Sequence, residues 1–126
     1  MSDYKPSDIN LLQTIIDEFP RRKPSPAHDM DQEEVMRILT LAEIASIPVV
    51  VAGGWAVDAL LGWQTRSHGD LDIAINRAYL GRLLGILGRI GYGLVHEANV
   101  DDKNYLVDNG AGHQIEINVY SRDDKG

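Results

Sequence analysis

The chain has 126 residues, no cysteine and a formal net charge of −7. That length fits one domain able to bury a core without covalent staples, and the missing cysteines exclude disulfides and thiolate metal sites and suit a cytoplasmic compartment. The negative charge excludes extended nucleic-acid binding, which needs a basic face. The most apolar stretch, residues 47–63, is interrupted by Gly53, Gly54 and Asp58 and is too short to cross a membrane, and the N-terminus lacks the basic start and apolar run of a secretory signal.

In chain order, residues 7–19 predict a helix capped by Ser7, with Leu12, Ile15, Ile16 and Phe19 on one face and Pro20 as its stop. Residues 20–30 hold three prolines and three basic residues and predict an exposed connector. Residues 1–30 are therefore read as an N-terminal helix and linker, accessory to a main domain at 31–126. A second helix is expected over 30–45, with Asp31 and Glu34 in a capping-box pattern and Val35, Ile38, Leu39, Ala42 and Ala45 as its apolar stripe. Residues 48–52 form a continuous apolar, β-branched run, as expected of a strand buried on both faces. Gly53-Gly54 then turns the chain into a short helix over 55–61.

Residues 70–76 alternate, with Leu71, Ile73 and Ile75 on one side and Asp70, Asp72, Ala74 and Asn76 on the other. Helical spacing returns over 77–90, where Leu80, Leu83, Leu84 and Leu87 share a stripe. Gly81, Gly85 and Gly88 recur within it, each costing about 1 kcal/mol relative to alanine. Close packing of this helix on its sheet would explain them, and so would a weak helix. Three further strands are expected at 92–97, 104–107 and 113–120, with Asn109-Gly110 as a hairpin turn between the last two. The element order predicts an α/β (α+β) domain: a mixed β-sheet with helices packed on one face.

The chemistry concentrates in two places. Asp70 and Asp72 stand at alternate strand positions, so they project to one face with α-carbons roughly 6.5–7 Å apart and can share hard divalent cations. Without a cation they repel. Glu116 is the only carboxylate within the last strand, and its alternation predicts the same polar face if the two strands are neighbours; otherwise it is an exposed polar residue on a half-wet sheet. Gly53 and Gly54 follow a strand and precede a helix, a placement that lets backbone approach a phosphate, although a glycine pair alone also makes an ordinary tight turn. Arg66 and His68 lead directly into Asp70. Arginine suits phosphate oxygens, and His68 is either a phosphate donor or a loop-fixing residue. Trp55 and Trp63 read as core aromatics, and the role of Asp58 is open. The four histidines lack metal-ligand spacing.

Residues 53–62 (GGWAVDALLG) with 64–73 (QTRSHGDLDI) resemble the lincosamide and aminoglycoside 2''-O-nucleotidyltransferases of the DNA polymerase β-like superfamily, a likeness covering about residues 35–120. The resemblance implies a minimal nucleotidyltransferase fold, two magnesium ions, and a nucleoside triphosphate such as ATP whose α-phosphorus is attacked by a hydroxyl of a small molecule, an antibiotic among the candidates. It implies that Asp70 and Asp72 hold metal, that Glu116 holds metal, takes the acceptor's proton or does both, and that Gly53, Gly54, Arg66 and His68 contact the phosphates. Relatives usually continue beyond this chain's last strand, and that extension helps build the acceptor pocket; a homodimer is one arrangement that would replace it. Two alternatives stay open: a toxin–antitoxin-type enzyme modifying a protein or RNA, and a nucleotide-binding relative without turnover.

Overall fold

The computed structural model describes residues 6–27, 29–55, 69–95 and 103–121. Among them, six strands form one mixed sheet: β1 (Arg21–Arg22), β2 (Val50–Ala52), β3 (Leu71–Asn76), β4 (Gly93–Val95), β5 (Asn104–Asp108) and β6 (Gln114–Tyr120), in the spatial order β1-β4-β5-β6-β3-β2. The β3–β6 and β1–β4 pairs are parallel and the others antiparallel. Three α-helices are described: α1 (Pro6–Glu18), α2 (Gln32–Ile44) and α3 (Leu80–Arg89), the last preceded by a 3₁₀ turn at Arg77–Tyr79. No described helix is long and apolar enough to cross a membrane.

Alternation on β3 and β6 decides which side of the sheet is dry. Leu71, Ile73, Ile75, Ile115 and Ile117 are fully buried, and they form one core with Val35, Ile38 and Ala42 of α2 and Leu80, Leu83, Leu84 and Leu87 of α3. The intervening residues Asp72, Ala74, Asn76, Glu116 and Asn118 stay half-buried on the other face. The α2 start is a true N-cap, with Asp31 Oδ1 accepting from the Glu34 N–H at 2.7 Å. The reciprocal half of the predicted box is not used. Glu34 instead turns inward, where its Oε2 accepts from the Tyr92 hydroxyl at 2.7 Å and its Oε1 from Arg37 at 3.2 Å. Burial and the Glu34 carboxylate both push the Tyr92 hydroxyl pKa upward.

Several local expectations change. The 48–52 run is expected to be buried on both faces, but among the described residues β2 is the edge of the sheet and Val50 is 58% exposed. The helix glycines do not face the sheet; Gly81 receives Ile15 of α1 and Gly88 receives Phe19, the residue that follows α1, with carbons 3.2 Å and 3.1 Å from where a Cβ would sit. The β5–β6 connection is not a two-residue Asn109-Gly110 turn. Asp108 pairs with Gln114 across a loop of residues 109–113, in which Asn109 Oδ1 accepts from the Ala111 and His113 N–H groups.

Residues 20–30 also contribute more than a connector. β1 pairs with β4, Met30 is fully buried, and Ser25 is buried against Asp108. Helical geometry begins at Gly53–Trp55; the expected helix over 55–61 otherwise lies outside the described residues, as do 96 and 97 of the strand expected at 92–97.

Candidate active site

The polar face is built by strand register. In the parallel β3–β6 pair Asp72 stands directly opposite Glu116, so both carboxylates project to the same side. On the other flank of β3, Ala52 of β2 stands opposite Asp72, and the next residue is Gly53. Gly53 has φ +68°, a left-handed conformation open to glycine. A Cβ on it would lie 3.5 Å from Asp72 Cβ and 3.7 Å from Asp72 Oδ2. The bare glycine backbone therefore borders the carboxylate of Asp72, and Trp55 anchors the turn at 5% exposure in the core.

Two amides, missed from sequence as site residues, tie the carboxylates together. Asn118 Nδ2 donates to Asp72 Oδ1 at 2.8 Å and to the Ile73 carbonyl at 3.1 Å. Asn104 Nδ2 donates to Asn118 Oδ1 at 2.9 Å and to Glu116 Oε2 at 3.3 Å. The available signal was positional: Asn118 lies two residues after Glu116 on the same strand face, and β5 places Asn104 opposite it.

Asp70 immediately precedes β3 and is half-buried. No three histidine, aspartate or glutamate side chains among the described residues are grouped closely enough to hold a metal ion, so Asp70 does not close on the Asp72–Glu116 pair that the strand register sets side by side. The donors are all hard oxygens. Magnesium is commonly held by one or two carboxylates plus water and substrate phosphates rather than by a cage of protein ligands, and a paired Asp72 and Glu116 suit that mode. Arg66 and His68 lie outside the described residues.

The family model for aminoglycoside-2''-adenylyltransferase matches residues 34–126, spanning most of α2, the glycine turn and both carboxylate strands. The chain belongs to the aminoglycoside-2''-adenylyltransferase family. A 2''-aminoglycoside nucleotidyltransferase of Escherichia coli is 35% identical over 63 residues, which cover 50% of this chain and 36% of that protein. A lincosamide resistance protein of Staphylococcus haemolyticus is 34% identical over 65 residues, 52% of this chain and 40% of that one. The alignments thus span well under half the length of these relatives.

Among solved structures, lincomycin-bound LnuA, a lincosamide antibiotic adenylyltransferase, superposes with a TM-score of 0.68 at 26% identity, covering 79% of this chain and 61% of that one. ANT(2'')-Ia in complex with adenylyl-2''-tobramycin gives 0.63 at 28% identity, covering 75% and 52%. The mixed sheet with helices is accordingly the nucleotidyltransferase fold of these relatives.

Proposed function

We propose that this chain carries the nucleotidyl-transfer centre of an antibiotic-modifying enzyme, moving a nucleoside monophosphate, AMP from ATP in the first instance, to a hydroxyl of an aminoglycoside or lincosamide. The observation that carries this reading is the register of Asp72 with Glu116 beside the left-handed Gly53 turn, in a chain whose relatives are named for that transfer.

In the proposed reaction the acceptor hydroxyl oxygen attacks the α-phosphorus in line with the bridging oxygen to the β-phosphate. The new P–O bond forms as the bridging bond breaks, pyrophosphate leaves, and the hydroxyl proton passes to a base, the role assigned here to Glu116. Asp72 and Glu116 would hold magnesium, and Asp70, which adjoins β3 without closing on them in this structure, would join them when the ion binds; the ion would supply Lewis-acid stabilisation of the attacking and leaving oxygens. Gly53 and Gly54 would admit the triphosphate against the strand ends because no side chain fills that space, with Arg66 and His68 as phosphate contacts. Holding the acceptor in line supplies much of the remaining acceleration. A small-molecule acceptor agrees with the relatives solved with adenylyl-2''-tobramycin and with lincomycin.

The test is direct. Purified chain incubated with magnesium, ATP and either tobramycin or lincomycin should yield the adenylylated antibiotic by mass spectrometry, together with pyrophosphate. Asp72→Asn should lower that rate by more than the roughly 10–100-fold that loss of an outer-shell partner costs. Transfer by Asp72→Asn at the wild-type rate overturns the assignment.

A further inference from the structure

The amides behind the carboxylates account for every hydrogen they carry. Asn118 uses both Nδ2 hydrogens, on Asp72 Oδ1 and the Ile73 carbonyl, and Asn104 uses both of its own, on Asn118 Oδ1 and Glu116 Oε2. The amide orientations follow from chemistry, since a carboxylate and a carbonyl can only accept, so nitrogen must face them. Each carboxylate thereby has one oxygen fixed, Oδ1 of Asp72 and Oε2 of Glu116. The other Asp72 oxygen lies toward the Gly53 turn, 3.7 Å from the position a Cβ there would take.

We infer that Asn118, supported by Asn104, is a positioning residue that holds Asp72 and Glu116 in a fixed relative orientation for cation and nucleotide binding. This rests on the function proposed above. A neutral amide suits the task where a lysine or arginine would not. It pins one oxygen without cancelling negative charge, so both carboxylates keep their attraction for a cation, and no ammonium or guanidinium competes for the site. The branch at Asn104 makes the orientation joint: movement of Glu116 pulls on the same amide nitrogen that holds Asn118. Asn118 touches neither substrate nor reacting atoms in this assignment and acts through Asp72 and, by way of Asn104, through Glu116.

Mn²⁺ uptake by the full chain, measured by electron paramagnetic resonance with a non-hydrolysable ATP analogue present, reads this without turnover. It is run well below the unfolding temperature of each variant, where a purely structural loss of strand contacts leaves affinity unchanged. Asn118→Ala should raise the Mn²⁺ dissociation constant about 10–100-fold and Asn104→Ala by a smaller factor in the same direction, while Asp72→Asn should abolish uptake. Should Asn118→Ala fail to fold, the half-buried Asn104→Ala carries the test alone. Wild-type affinity in the asparagine variants, with uptake still lost in Asp72→Asn, overturns the positioning role and leaves the proposed function standing. Equal uptake by wild type and Asp72→Asn overturns the proposed function, and this inference with it.

Discussion

Gly53 borders the Asp72 carboxylate through a left-handed backbone. A residue at φ +68° costs an L-amino acid about 1–2 kcal/mol relative to its preferred conformations, whereas glycine adopts it freely. The space beside it is ordinary van der Waals contact, 3.5 Å to Asp72 Cβ, so Gly53→Ala should suffer mainly from backbone strain. The expected loss is about 1 kcal/mol in urea denaturation; an unchanged midpoint would mean that the turn relaxes into a right-handed conformation. The acidic residues were legible because strand alternation is a strict period of two, so Asp72 and Glu116 could be assigned a face before their strands were known to be neighbours. Asn104 and Asn118 were not legible as partners. An asparagine on a wet strand face has the same local pattern whether it points into solvent or holds a carboxylate, and only the β5–β6–β3 register brings the two amides to Asp72 and Glu116.

Among the elements, α3 shows what spacing reveals and what it leaves out. Its leucines mark the face toward the sheet, and its glycines mark a second face, but a periodic pattern does not name what lies across from it. That partner is α1 and the residue after it, with Ile15 seated over Gly81 and Phe19 over Gly88. Gly85 belongs to neither contact: it is exposed, and a Cβ there meets nothing within 4 Å. Gly85→Ala should therefore collect the helix-propensity gain of about 1 kcal/mol. Gly88→Ala should collect none, because its methyl would lie 3.1 Å from Phe19 Cε1 and force the ring aside. Thermal denaturation of the two variants should separate them in that order; an equal rise would show that α1 yields at no cost. The β2 edge illustrates the reverse difficulty. A short run of valines reads alike whether buried on both faces or exposed on one, and only the sheet order places Val50 in solvent.

Across the whole molecule, the chain closes on itself through residues 20–30, and this was the least legible feature, because a polar, proline-rich segment pairs by backbone and leaves no hydrophobic period. Leu94 N–H donates to the Pro20 carbonyl at 2.7 Å, and Asp29 N–H to the Gly112 carbonyl at 2.9 Å. Between those points sits Asp108, fully buried, whose Oδ1 accepts from Ser25 Oγ and Gly110 N–H at 2.7 and 2.6 Å and whose Oδ2 accepts from Ser25 N–H and Gln114 Nε2 at 3.0 and 3.2 Å. Burial pushes this carboxyl pKa up, but the Ser25, Gly110 and Gln114 donors outweigh it and hold it below the usual value of 3.8. Asp31 is lowered in the same direction, first by the Glu34 N–H at the α2 cap. A carboxyl with a depressed folded pKa stabilises fully above its unfolded value, and that contribution disappears as pH falls through the folded one. Stability should therefore stay level with respect to these two groups from pH 7 to about 5 and fall in the acid range below about 4. Asp108→Asn turns one acceptor into a donor facing other donors, and should cost about 2 kcal/mol or more at pH 7. Its acid limb should be shallower than that of the wild type, so the two urea midpoints converge as the pH drops. Parallel acid limbs, or equal midpoints at pH 7, would mean that the N-terminal segment is held by its strand pairing and apolar contacts without this carboxylate.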